Sequence, residues 1–244
     1  MTTDRRPPTT DPILELSNVS KDYRGLRPLR IASLTVAADE HIALIGLDAP
    51  AAEVFVNLIT GATLPDQGDV RLFGRSTRDI TDSADWLSLV DRFGIVSARA
   101  VLLDALSVVQ NLAMPFTLDV EPPSADVRAR AVALAGEVGL PEAALDRPVG
   151  GLDAGGRIRV RLGRAIALNP AIVILEHPTA ELVGQAVPSF ADQYRSIARA
   201  RRVATVTLSA DRGFGERVAG RVLTHHGASG RVSGGGWLSR LRRD

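Results

Sequence analysis

The chain has 244 residues, a formal charge of +1, 45% apolar residues and no cysteine. That length is ample for a buried core, as one large domain or a core with an inserted subdomain. The near-zero charge argues against nucleic-acid binding by bulk electrostatics. The lack of cysteine excludes a disulfide framework and thiol chemistry and fits a cytoplasmic protein, and no apolar run approaches the ~18–20 residues that span a bilayer.

The opening MTTDRRPPTTDP has no apolar signal core, so residues 1–11 read as a disordered leader. Residues 13–19 and 29–36 alternate as strands do, and the apolar run 42–45 predicts a buried strand. A helix is expected at about 50–60. Gly61–Gly74 reads as helix end, turn and strand, with Val70, Leu72 and Phe73 its apolar members. After Gly94-Ile95-Val96 the character changes. Helical patterns at 107–114, 124–139 and 157–168 are broken by Pro115, Pro122-Pro123, Pro141 and Gly150-Gly151. Strand signals return at 171–175 and 203–208 with a helix between them at 188–200. This alternation predicts a parallel α/β sheet with an inserted helical subdomain at about 97–165. Residues 227–236, GASGRVSGGG, read as a flexible linker to a basic tail, WLSRLRRD.

The chemistry centres on HIALIGLDAPAAEVFVNLITG, residues 41–61. It has the outline of a phosphate-binding loop: strand, glycine, loop of small residues, helix. In a working loop, GxxxxGK[ST], amides wrap the phosphates, lysine reaches them and the hydroxyl holds Mg²⁺. Counting from Gly46, the second glycine is Ala51, the lysine is Ala52 and the hydroxyl residue is Glu53. No neighbouring lysine can substitute, because the chain has one, Lys21.

Over about 12–225 the chain resembles the ATP-binding subunit of ABC transporters. LELSNVSKDY looks like the family's first strand, with Tyr23 where an aromatic ring stacks on adenine. NLITGATLPDQGDVRLFGR, LLDALSVVQNLAMPF and GGLDAGGRIRVRLGRAIALNPAIVILEHPTAEL resemble, in order, the stretch after the P-loop, the approach to the helical subdomain, and the signature loop with its helix and acidic strand end. The resemblance implies a P-loop NTPase-like (RecA-like) core with N-terminal antiparallel strands and an inserted α-helical subdomain. It spans residues 12–226, and 227–244 is linker and tail.

The departures from the family pattern fall on the chemistry. Ala98 stands at the loop glutamine. The signature LSGGQ reads Leu152-Asp153-Ala154-Gly155-Gly156, and an Asp at its serine would repel a phosphate. The strand-end Asp-Glu pair, metal-water ligand and general base, reads Glu176-His177. Val183 stands at the Asp of the next loop and Ala210 at the switch histidine, whereas Tyr23, Gly46, Leu152, Gly155, Pro178 and Thr179 are unaltered. A charge-assisted hydrogen bond is worth roughly 1.5–3 kcal/mol net, so these losses predict Mg-ATP binding weakened by several orders of magnitude. Hydrolysis should suffer more, since phosphoryl transfer rests on positioning and charge neutralisation.

The resemblance therefore implies a degenerate subunit, a pseudo-ATPase at the inner face of a membrane. It would hold an integral membrane transporter subunit through the groove around 98–116 and pair with itself or with an active homologue. No metal or nucleic acid is assigned, and ATP and Mg²⁺ are retained at most weakly. The competing readings are an active ABC ATPase in which an arginine replaces the lysine, and a soluble regulator that has left transport.

Acidic side chains offer a way for the fold to tolerate the loss. Helix N-termini are anion sites, so Asp48 in the loop, Glu53 in the first turn and Asp153 at the next helix start are expected to stand in for phosphate. Each of the remaining features has a plainer alternative. Glu176 and His177 either ligate and act as base or simply end a buried strand. Tyr23 either stacks on adenine or packs on its own loop. Arg157, Arg159, Arg161 and Arg164 are expected on a solvated helix face, with Ile158, Leu162, Ala165 and Ile166 inward. Trp237, Leu238 and Leu241, with their arginines, are either a surface-binding tail or a frayed end. His225-His226 receives no ligand role.

Overall fold

The computed structural model describes residues 12–234; the leader 1–11 and the end of the chain from 235, with Trp237, Leu238 and Leu241, lie outside the described residues. The chain begins with β1 (Pro12–Lys21) and β2 (Leu29–Ala37), paired antiparallel. It continues through β3 (His41–Ile45), α1 (Ala49–Ile59), β4 (Gln67–Leu72), β5 (Arg75–Ser76), α2 (Ser83–Val90) and β6 (Phe93–Val96). Three helices follow, α3 (Val108–Ala113), α4 (Ala125–Glu137) and α5 (Ala154–Ile166). The remainder alternates: β7 (Ile172–Glu176), α6 (Ala186–Arg201), β8 (Ala204–Ser209), α7 (Arg212–Val218), β9 (Arg221–His226) and β10 (Arg231–Gly234).

Two sheets result. The smaller has the order β2-β1-β4-β5 and is antiparallel throughout. The larger runs β10-β9-β3-β8-β7-β6, parallel except for the β9–β10 hairpin. Parity along β7 shows how it is used. Ile172 and Ile174 join a core with Leu14, Leu16, Ile31 and Phe55 from the small sheet and α1. Val173 and Leu175 join a second core with α3–α6, around Phe190 and Tyr194. Successive strand side chains point to opposite faces, so a strand covered on both faces must be apolar along its covered length, as β7 is from Ile172 to Leu175. The α/β class expected from the alternation is the observed one.

The boundaries shift by one to three residues, and two local expectations are corrected. Phe73 follows β4 rather than belonging to it; its φ of +51° starts the turn into β5. The expected linker at 227–236 is in part a strand. Gly230 turns the chain at φ +68°, where a Cβ would lie 2.9 Å from the Arg30 carbonyl carbon, and Gly230 O accepts from Ala32 N at 2.8 Å. Glycine there serves a close approach to β2 rather than flexibility. The short helices α2 and α7 went unread because they have 8 and 7 residues, too few for a helical period to declare itself.

The β6 and α5 backbones touch at Gly94, where a Cβ would lie 2.2 Å from the Ala165 carbonyl oxygen. Backbone cannot yield as a side-chain tip does. Gly94→Ala is therefore expected to cost about 1–3 kcal/mol, read as a Tm lower by roughly 2–10 °C in thermal denaturation.

Candidate functional site

Parallel pairing of β3, β8, β7 and β6 delivers the carboxyl ends of all four strands to one edge, the place where open α/β sheets hold ligands. Gly46, after β3, has φ +101°, and a Cβ there would meet the His225 carbonyl oxygen at 2.9 Å. Only Leu47 and Asp48 separate it from α1, so the helix has already taken up Ala51 and Ala52, which are buried. Asp48 is the N-cap: its Oδ1 accepts from Ala51 N at 2.9 Å, and its carbonyl accepts from Ala52 N at 2.8 Å. Pro50 has no N–H to offer. The helix start is thus occupied by the chain's own carboxylate, as expected for Asp48.

Glu53 does something else. It lies beyond the first turn of α1, which contains no acid, and it does not cap the helix. It reaches across the crevice, where its Oε1 is 3.0 Å from Arg99 Nη1. Arg99 Nη2 donates to Glu176 Oε2 at 2.7 Å. Glu176, at the end of β7, is 8% exposed, whereas the side chains of Arg99 and Glu53 are 44% and 48% exposed. A turn on buried Ser97 positions the arginine: Arg99 N donates to Ser97 Oγ at 3.1 Å. The hydrogen bond that Arg99 donates to Glu176 is the main influence raising its guanidinium above the usual range, with burial opposing and both carboxylate charges adding. Arg99 was not read from sequence. The signal was available, because two acids at altered positions of one crevice demand a cation, and Arg99 adjoins Ala98.

Ala98 lines a cleft with Glu176, His177 and Ala154. His177 has φ +45°; its amide donates to Leu208 O at 2.9 Å, and its buried Nε2 has no partner among the described residues. Across the cleft, Leu152 leads into α5. Asp153 caps that helix, its Oδ1 accepting from Gly156 N at 2.7 Å, and buried Gly155 passes its carbonyl to Arg159 Nη1 at 2.9 Å. Tyr23 is half-buried against its own loop, where a Cβ on Gly25 would meet the ring at 2.6 Å. Burial, and secondarily the charge of Asp48, raise its phenol pKa.

The expected solvated arginine face is corrected. None of Arg157, Arg159, Arg161 and Arg164 is exposed. Arg157 pairs with Asp104 at 2.8 Å, Arg161 donates to Ala100 O at 3.3 Å, and Arg164 donates to Val101 O at 2.8 Å. These bonds stitch α5 to the segment after Arg99, while Ile158, Leu162 and Ile166 face inward as expected.

The family model for ABC transporter matches residues 29–180. The chain belongs to the ABC transporter family. It is 31% identical over 222 residues to the lipoprotein-releasing system ATP-binding protein LolD of Maricaulis maris, covering 88% of this chain and 94% of that one. It is 30% identical over 177 residues to ABC transporter H family member 2 of Dictyostelium discoideum, over 70% of this chain, and spans only 34% of that relative's length. In fold it matches a dimeric post-hydrolysis structure of the ATP-binding cassette MJ0796 bound to ADP and Pi. The TM-score is 0.73 at 20% identity, over 90% of this chain and 96% of that one. The fold is that of the P-loop NTPases.

Set against this family, the residues present do not fit Mg²⁺–nucleotide. The amides of Ala51 and Ala52 are engaged by Asp48, position 50 has no amide proton, and both carboxylates of the crevice are already paired with Arg99. Among the described residues, no group of three or more His, Cys, Asp or Glu could hold a metal ion. Removing either cap tests the occupied helix starts. Asp48→Ala and Asp153→Ala are each expected to cost about 1 kcal/mol and to lower Tm by roughly 2–4 °C. In the double variant the losses should add, as the two caps serve different helices.

Proposed function

We propose that this chain is an ABC-type ATP-binding-subunit homologue that acts as a pseudo-ATPase, scaffolding or regulating a membrane transport complex with ATP binding and hydrolysis lost or weak. The observation that carries this reading is the start of α1, where Asp48 occupies the anion position and Ala52 supplies no charge. The working unit is residues 12–226 with a helical subdomain at about 97–165. The positions Tyr23, Gly46, Asp48, Ala51, Ala52, Glu53, Ala98, Leu152, Asp153, Gly155 and Gly156 form a relic nucleotide site.

The partner is an integral membrane subunit, met at the inner face of the membrane, together with a second copy or another ABC subunit. No helix among the described residues is long and apolar enough to cross a membrane. Support for the docking place comes from Val101 and Leu103. They are 69% and 46% exposed on a segment held from behind by Arg157, Arg161 and Arg164. The names of relatives that release lipoproteins support a transport setting.

A second reading, an active ATPase with non-standard residues, draws on Glu176 at the end of β7 and on His177 with its unpartnered Nε2. Calorimetric titration of the full chain with Mg-ATP to millimolar concentration separates the two. The expected result is no heat and no thermal stabilisation. Micromolar binding, with Mg²⁺-dependent turnover abolished by Glu176→Ala, would establish the ATPase instead. Val101→Asp with Leu103→Asp should remove a co-purifying integral membrane protein while leaving Tm within about 2 °C, as exposed substitutions do.

A further inference from the structure

We propose that Arg99 is a built-in cation: its guanidinium takes the place of a divalent metal between Glu53 and Glu176 and fixes the segment 97–104 without any ligand. The inference deepens the scaffold reading and rests on it. It comes from the disagreement between the crevice and the metal–nucleotide that the family implies. Three elements with no sequence proximity meet at this guanidinium: α1 through Glu53 at 3.0 Å, β7 through Glu176 at 2.7 Å, and the turn after β6 through Arg99 itself.

The fork geometry matters. Nη1 serves one carboxylate and Nη2 the other, so a single planar group holds both at once. Glu176 is almost wholly buried, and a buried carboxylate that loses its counter-charge is strongly destabilising. Two carboxylates left facing one another would draw in a cation, and oxygen ligands of that kind suit Mg²⁺ or Mn²⁺.

The second consequence is mechanical. Arg99 anchors one end of the segment in the crevice. Ala100 O, Val101 O and Asp104 are held by Arg161, Arg164 and Arg157 of α5. Exposed Val101 and Leu103 are carried on that doubly tied stretch. Their position is therefore set by the protein's own charges.

The test compares wild type, Arg99→Ala, Arg99→Lys and the triple variant Arg99→Ala/Glu53→Gln/Glu176→Gln, each as the full chain. Tm, Mn²⁺ binding and amide exchange at 97–104 are measured. Wild type should bind no Mn²⁺ in the crevice and keep its Tm within about 1 °C in millimolar Mg²⁺. Arg99→Ala should lose about 4–8 °C and exchange faster at 97–104. It should also bind Mn²⁺ with recovery of both readouts, and the triple variant should abolish that binding.

Arg99→Lys keeps the charge and loses the fork. It should exclude Mn²⁺ while exchanging faster at 97–104, which keeps the test decisive if the alanine variant does not fold. Unchanged Tm and no gain of Mn²⁺ binding in Arg99→Ala would overturn the proposal, as would Mn²⁺ binding in the wild-type crevice. Failure of the scaffold reading looks different: wild type would bind ATP, and if EDTA left that affinity unchanged the Arg99 assignment would stand.

Discussion

A sheet covered on both faces has nowhere to put charge except at its ends. β3, β7 and β8 are buried along their whole inner lengths, with apolar side chains or threonine at each position. Because these strands run parallel, their carboxyl ends share one edge, and the polar groups that the interior refuses collect there. Glu176 is the extreme case, a carboxylate at the last position of a buried strand. The turn on Ser97 brings it Arg99 as a counter-charge, and Glu53 from α1 pairs with the other arm of the same guanidinium. The crevice is best understood as a solved electrostatic problem.

The two helices that open onto this region start in the same way. α1 begins on Asp48 and α5 on Asp153, each carboxylate accepting an amide three residues on. A helix start carries partial positive charge and unpaired donors. In this chain those donors are closed internally. Opposing charges are thus matched within the chain at the helix starts by acids and in the crevice by Arg99. The same economy runs down α5, whose arginines are turned onto carbonyls of the segment 100–101 and onto Asp104 rather than into water.

The sequence was legible where a physical rule is local. The buried strand before Gly46, the acids Asp48 and Asp153 at helix starts and the inward face of Ile158, Leu162 and Ile166 follow from period, small residues and helix-end electrostatics. What escaped was set by partners distant along the chain. Arg99 is ordinary until Glu53 and Glu176, 46 residues before it and 77 after it, are brought to it. Arg161 reads as a solvent residue because period cannot foresee a carbonyl at Ala100. Glu53 lies beyond the start of a helix that begins at Ala49, one turn too early for it to serve as a cap. The glycines near 230 read as slack, and one of them proves to be a fitted contact against Arg30.

The place of β3 has a consequence for how the molecule comes into being. It is the strand that leads to Gly46, yet its two neighbours in the sheet are β8 and β9, both of which follow residue 203. Its earlier neighbours in sequence belong to the other sheet. The seam is closed still later, when His225 reaches Arg30 O at 2.8 Å and Gly230 meets Ala32. A nascent chain emerging from the ribosome therefore carries this strand unpaired along both edges until the residues beyond 203 have been made. Contacts of such long range form slowly and leave strand edges open to other chains. The residues that complete the crevice's floor are among the last to arrive, so the nascent strand depends on prompt completion of synthesis, or on a chaperone's cover, to avoid pairing with the wrong partner.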